Sequence, residues 1–600
     1  MQRNFALRCA LLFSATLLLG LPAHALTPDQ SARRPNIVLL LVDDAGLMDF
    51  SAYGGEARMP TINALASSGV RFDNYHSSPL CAPSRAMLLT GMDNHRTGMA
   101  TIPEVVRDED RDKPGYSMHL EAGVHTVADR LRASGYRTYM TGKWHLGSAE
   151  GELPVHHGFD RSFILDASGA DNWEQKSYMP YYAYAPWFED DAPADLPADF
   201  YSSEFLVDKM IDYIGGAETN QQNDKPFFAH IGFQAIHIPI QAPAEFTANY
   251  AGVYAEGWDV LRRNRWQRAQ DLELIPRGAP YAERPEGMRA WASLPATEQA
   301  FFAKSMAVNS GMLEAMDFHI GRLVQHLKDT GQFANTLFIV TSDNGPAGSN
   351  PAGNPVVEYW LESNGYHRDI DRLGEFGSMA FIGPEWANAA AAPGDLHKFY
   401  AAEGGIHVPL IISGPTVPAR APVKSLAMVT DITPTILDYA GTSTLAKEAT
   451  RPDGKSLREV VENRSPVTHA KTTPIGMEVS GNSALFLGDY KLTRNSLPLG
   501  DGRWRLFNLA TDPGETNDLT TTEPERFAIL QAAYHTYAQE FGVIELGAQF
   551  DVQQQLLGNI VAELAGRYWW QLILIALALL GLLALLVSLV RYSLARRLSR

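Results

Sequence analysis

The strongest constraint on the fold is the stretch PNIVLLLVDDAG at residues 35–46, an unbroken run of Ile, Val and Leu with a proline before it and two carboxylates after it. A run without a polar face is that of a strand buried on both sides, as in parallel sheets, so Asp43 and Asp44 are expected at the carboxyl end of a core strand. TLFIVTSDNG at 336–345 repeats the pattern and brings Asp343 and Asn344 to a second such end. KPFFAHIGFQAIHIP and VPLIISGP supply further strands, while TINALASSGV, TVADRLRASG and MDFHIGRLVQHLKDTG have the spacing of amphipathic helices. Alternation of strand and helix predicts an α/β domain, a large, mostly parallel sheet flanked by helices. Ligands of such sheets collect at the carboxyl ends of the strands, where both acidic pairs fall.

Past about residue 445 the texture changes to short strands and turns, as in SALFLGDYKLTR and RWRLFNLATDPGETNDL. This predicts a smaller α+β domain with an antiparallel sheet, then a helix near 523–540. The two ends are of another kind. MQRNFALRCALLFSATLLLGLPAHA combines Arg3 and Arg8, an apolar run and Ala23-His24-Ala25, the layout of a cleavable signal peptide. Residues 568–590, YWWQLILIALALLGLLALLVSLV, carry no charge and are long enough to cross a bilayer as a helix. Tyr568, Trp569 and Trp570 crowd one end and Arg591, Arg596, Arg597 and Arg600 the other, which places the basic tail in the cytoplasm and the bulk of the chain in the periplasm or outside the cell. The expected organisation is a signal peptide (1–25), a catalytic domain (26–445), a smaller C-terminal domain (446–545), a linker (546–567), a transmembrane helix (568–590) and a cytoplasmic basic tail (591–600). Two low-complexity pieces, ANAAAA at 387–392 and EDDAPADLPAD at 189–199, are expected as surface loops or short helices.

Setting aside the seven arginines of residues 1–25 and 567–600 leaves 43 basic against 68 acidic side chains, a balance of −25. That charge argues against nucleic acid or anionic membrane surfaces as partners. An anionic small substrate stays compatible, because a bound dication dominates the local field of its site.

Of the two cysteines, Cys9 would leave with the signal peptide. Cys81, in SSPLCAPSRAMLLTG at 77–91, then has no partner, which points to an intermolecular bond, a reactive thiol or a modified residue. Pro83 and the helix formers after it place residue 81 at a helix N-terminus, where negative charge is favoured. Lys143 and His145 lie together in TGKWHLG, His237 in IHIP, and Lys398 shortly before the Glu-Gly-Gly turn of LHKFYAAEGGIHVP. Singly, each has an ordinary structural role open to it: surface charge, satisfied core histidine, solvated lysine. Two acidic strand ends in one sheet offer three carboxylates and an amide oxygen, a set that selects Ca2+ or Mg2+ over zinc.

Taken in order, Asp-Asp, Cys-x-Pro-Ser-Arg-x-x-x-Leu-Thr-Gly, Gly-Lys-x-His-x-Gly, His-x-Pro, Ser-Asp-Asn-Gly and Glu-Gly-Gly resemble the type I, formylglycine-dependent sulfatases of the alkaline phosphatase superfamily. The likeness runs from about Pro35 to the KL…LFNLATDPGETNDL segment, and GWDVLRRNRWQR and GPEWANAAAAPGDLHKFYAAEGG look like bacterial arylsulfatases of the Pseudomonas kind. The resemblance implies an alkaline phosphatase-like fold and oxidation of Cys81 to formylglycine by a formylglycine-generating or sulfatase-maturing enzyme. The hydrated aldehyde would attack sulfur with one hydroxyl, and proton loss from the other would expel sulfate. It implies Ca2+, or Mg2+, held by Asp43, Asp44, Cys81, Asp343 and Asn344. Arg85 and Lys143 would hold the diol oxygens, His145 would orient or deprotonate the second hydroxyl, and His237 and Lys398 would contact the sulfate and protonate the leaving oxygen. One departure is His407, where relatives usually carry arginine. The expected substrate is a small sulfate ester. A phosphonate or phosphate monoester hydrolase of the same superfamily, and an inactive homologue that binds sulfated ligands, are the alternatives.

Overall fold

All seven residues of the first strand are buried, as a strand covered on both faces requires. In the computed structural model, which describes residues 34–216, 225–442 and 451–598, the chain forms fifteen strands among the described residues. They are β1 (Asn36–Val42), β2 (Val70–Phe72), β3 (Tyr75–His76), β4 (Arg137–Lys143), β5 (Arg161–Leu165), β6 (Trp187–Glu189), β7 (Ala192–Pro193), β8 (Phe227–Gly232), β9 (Thr336–Ser342), β10 (Leu410–Ser413), β11 (Ala427–Met428), β12 (Ile475–Val479), β13 (Asn482–Leu487), β14 (Tyr490–Arg494) and β15 (Trp504–Asn508). The expected signal peptide lies outside the described residues.

Nine strands form one mixed sheet in the order β2-β10-β9-β1-β8-β4-β5-β6-β7. The central five, β9-β1-β8-β4-β5, are all parallel, and antiparallel neighbours occur only toward the two edges. Side chains of β1 alternate between two cores: Val38, Leu40 and Val42 face one, Ile37, Leu39 and Leu41 the other. Helices Pro60–Ser68, Ser202–Gly215 and Ala296–Asp329 fill the first side with Ile62, Leu206, Met316 and Leu323. Helices Cys81–Thr90, Val127–Ala133 and Ile432–Tyr439 fill the second with Leu88, Leu131 and Ile436. This is the expected helix-flanked, mostly parallel architecture.

Strands β12-β13-β14-β15 form the small antiparallel sheet, and helix Pro524–Phe541 lays Leu530 and Tyr534 against its Leu485, Leu492 and Leu506. ANAAAA takes the second of its two expected forms, a short helix, but a buried one: residues 387–390 end the helix Gly383–Ala390, which is almost wholly buried. Arg262 and Arg265 donate to the carbonyls of Asn388 and Ala390, an approach that small side chains permit. The expected linker, 546–567, is helical from Val552 onward, as part of the continuous helix Val552–Leu598. Its apolar part, Ile573–Arg596, is long enough to cross a membrane. Its first turns dock on the protein through buried Val552 and Ile560.

Candidate active site

The sheet builds the site through its register. Val42 stands opposite Ser342 across the parallel β1-β9 pair, so the next residues, Asp43 and Asp343, leave the sheet side by side. Lys143 is the last residue of β4, and the turn after β8 carries His237, so four neighbouring strands deliver side chains to one end. Asp44 takes a left-handed backbone, φ 67°, which turns its carboxylate back into the cluster. Its N–H donates to Asp343 Oδ1 at 3.2 Å.

Cys81 is the first residue of its helix and is buried, with Sγ 3.5 Å from Asp43 Oδ1 and 3.9 Å from Asp44 Oδ1. Three cations face the three carboxylates. Lys143 Nζ donates to Asp43 Oδ2 at 2.6 Å and Lys398 Nζ to Asp44 Oδ1 at 2.6 Å. Arg85 donates through Nε and Nη2 to Asp343 Oδ2 at 3.0 and 2.8 Å, reaches Asp43 Oδ2 at 3.4 Å, and is fixed by Nη1 donating to the Lys143 carbonyl at 2.8 Å. The helix N-terminus adds partial positive charge beside them.

Burial alone would raise the Asp43 carboxyl, but Lys143, His237 and Arg85 together hold it well below the usual range. Burial, with Asp43 alongside, raises Asp343 to about 6. Burial pushes the Cys81 thiol well up, so in this setting it is not a ready thiolate nucleophile. Burial and then the Lys398 charge lower His237 to about 4, and its Nδ1 faces the Ile238 carbonyl at 2.6 Å, leaving Nε2 toward the site. Lys398, although buried, is held above its ordinary value by Asp44.

Nine of the ten predicted residues therefore meet at one end of the sheet. His145 lies beside them, its Nε2 3.4 Å from Glu104 Oε1. Asp343 is turned to Arg85 and the Asp44 amide, while the ligand atoms of Asp43, Asp44, Cys81 and His237 lie within 4.8 Å of one another. Asp44 Oδ2 and Asn344 Oδ1 are buried without a hydrogen-bond partner. Orphaned oxygens beside two further carboxylates are what a hard divalent cation requires of its site.

Three residues escaped the sequence reading. Glu104 accepts from the Tyr182 hydroxyl and, despite burial, is lowered to about 2 by His145. Tyr178 stands edge-on to His237, ring centroids 5.3 Å apart. These residues sit in irregular loops without a periodic signal. His407, the departure in the Glu-Gly-Gly segment, stacks on His76 at 4.9 Å, and its Nε2 lies 3.0 Å from the Asp73 carbonyl, so it serves as packing outside the site.

The model of the sulfatase family matches residues 35–442, a span that contains every one of these side chains. The chain belongs to the sulfatase family. Among similar sulfatases, an uncharacterised one from Schizosaccharomyces pombe is 34% identical over 538 residues, covering 87% of this chain and 96% of its own. The arylsulfatase of Klebsiella aerogenes is 34% identical over 459 residues, covering 74% of this chain and 94% of its own. The solved structure of Ps i-CgsB in complex with k-i-k-neocarrahexaose shares the fold at a TM-score of 0.60, with 21% identity over 89% of this chain and 99% of that one. The PsFucS1 sulfatase from Pseudoalteromonas does so at 0.56, with 22% identity over 86% and 93%. Sulfatases typically use a formylglycine and a divalent cation, and the buried Asp43, Asp44, Cys81 and His237 group suits the cation.

Proposed function

We propose that this sulfatase hydrolyses small sulfate esters, aryl sulfates included, to the alcohol or phenol and inorganic sulfate. The observation that carries the reading is the position of Cys81, at a helix N-terminus against Asp43 and Asp44 with Lys143 and Lys398 on either side. A buried thiol among carboxylates is a poor nucleophile, which supports its role as the precursor of formylglycine. The hydrated aldehyde supplies one hydroxyl to attack sulfur and a second whose deprotonation releases sulfate.

Asp43, Asp44, Asp343, Asn344 and residue 81 would hold Ca2+ or Mg2+, which supplies charge to polarise a sulfate oxygen. Three carboxylates already balance three basic side chains, so the added charge is left for the anionic ester and the negative charge that grows on its leaving oxygen. Lys143 and Arg85 hold the oxygens of residue 81, and His145, steadied by Glu104, takes the proton of the second hydroxyl. His237 and Lys398 bind the sulfate on the leaving-group side, and one of them protonates the departing oxygen. Residues 26–445 and 446–545 form the catalytic and smaller domains. The C-terminal helix tethers the chain so that the site lies in the periplasm or outside the cell.

The test is sulfate release from an aryl sulfate by protein produced with its maturing enzyme, with Ca2+, after chelation, and in Cys81→Ser. The intact mass of the peptide around residue 81 should correspond to aldehyde, and both chelation and the substitution should abolish turnover. Activity indifferent to chelation contradicts the cation set. Faster hydrolysis of the matching aryl phosphate assigns the chain to phosphate esters instead. An unmodified thiol without esterase activity assigns it to ligand binding.

A further inference from the structure

The loop that carries Tyr178, Tyr181 and Tyr182 stands between the catalytic residues and the start of the apolar helix. On its inner side Tyr178 meets His237 and Tyr182 holds Glu104 against His145. On its outer side Arg567 donates to the carbonyls of Pro180 at 3.2 Å and Tyr181 at 2.9 Å. Asn559 adds a second tie by donating to the carbonyls of Glu104 at 3.0 Å and Val106 at 2.9 Å. The Tyr181 hydroxyl donates to the Pro103 carbonyl at 3.0 Å and locks the two loops together. Val552, Leu556, Asn559, Ile560 and Arg567 recur every three or four residues or a multiple of that, so one stripe of the helix makes all of these contacts.

Arg567 immediately precedes the exposed Tyr568, Trp569 and Trp570, and Ile573 opens the apolar span. At helical rise, Arg567, which holds the carbonyls of Pro180 and Tyr181, stands about 9 Å along the axis from the beginning of that span. The headgroup layer of one leaflet is roughly 5–8 Å deep. Tyr184, on the same loop, is 63% exposed. The lip of the site thus rests at the outer edge of the headgroup layer, with His237 and His145 one side chain behind it.

Resting on the sulfate ester reading above, we propose that the substrate of this site is a sulfate ester of a membrane-resident amphiphile, drawn from the bilayer that anchors the chain. Its sulfate lies at headgroup depth and reaches the lip while the apolar part stays in lipid. Confinement to the same surface raises the ester's effective concentration at the site without any new contact.

The test uses the full-length, matured protein in phospholipid vesicles. The probes are p-hexadecylphenyl sulfate carried in those vesicles and p-tolyl sulfate in solution, which share a phenolic leaving group. At equal bulk concentration the vesicle-borne ester should turn over at least about tenfold faster. Diluting it in inert phospholipid at constant bulk concentration should slow it in proportion. Asn559→Ala with Arg567→Ala should lower the ratio of vesicle-borne to p-tolyl sulfate turnover, both esters being measured on one preparation whose folding is checked by thermal melting. Equal or slower turnover of the vesicle-borne ester, indifference to surface dilution, or an advantage untouched by the double substitution overturns the proposal. Failure of both esters overturns the sulfatase reading instead.

Discussion

Asp43 meets two cations at once, Lys143 at 2.6 Å and Arg85 at 3.4 Å, with no exposed surface of its own. Removing one partner of such a buried pair leaves an uncompensated charge, so Lys143→Met is expected to lower stability by about 3–5 kcal/mol. A denaturant titration in chelator reads this directly, and a loss under about 1 kcal/mol would mean that Arg85 alone suffices. Asp43, Asp44, Asp343 and Asn344 were legible in the sequence because each follows an apolar run that has to be a core strand. Lys398 was legible only through the family likeness, and its 2.6 Å bond to Asp44 ties it to the cluster. Glu104 and Tyr178 carried no such signal, since neither period nor motif marks a loop residue that reaches a site through tertiary contact.

At the scale of elements, the β4-β8 pair sets how closely the basic and acidic strand ends approach. Gly142 and Gly232 lie opposite each other there. A Cβ on Gly142 would stand 1.9 Å from the Gly232 carbonyl oxygen, and its φ of 96° strains any side chain. Gly142→Ala is therefore expected to cost at least about 2 kcal/mol and to shift Lys143, the next residue, off Asp43. Thermal melting and sulfate release measured on one preparation check this, and full activity at an unchanged midpoint would refute it. Hydropathy delivered the strands and helices that have a clean period. It left ANAAAA open between loop and helix, because alanines are indifferent between surface and tight helix packing until Arg262 and Arg265 are seen above them. The docked helix from Val552 escaped because its inward stripe mixes Asn559 and Arg567 with apolar residues.

Across the whole molecule, the small sheet is joined to the helix layer behind Cys81 by a buried ionic bridge. His95 Nδ1 lies 3.0 Å from Asp93 and Nε2 2.9 Å from Glu478 of β12, and the Tyr537 hydroxyl donates to the same Asp93 at 2.8 Å. Burial lowers the imidazole, but the two carboxylates outweigh it and raise His95 to about 9. A raised folded-state value means that the proton stabilises the native form. The contribution is complete below about pH 6.5 and disappears as pH climbs through about 9, roughly 3 kcal/mol in all. Melting of the protein against His95→Gln at pH 6 and pH 9.5 should show a large gap closing at the higher pH, and a gap independent of pH would refute the bridge. The two-sheet organisation was visible in the change of texture near residue 445, whereas this junction was not, because its partners lie 383 residues apart. The catalytic end has the same long reach, since Asp44 finds Asn344 and Lys398 only 300 and 354 residues further along the chain. Cys81 lies buried beneath those late arrivals, so under the function proposed above a modifying enzyme reaches it only before they are in place. Under that reading folding sets a deadline: a chain that completes its sheet first keeps its thiol, and the pace of synthesis sets the fraction of molecules able to work.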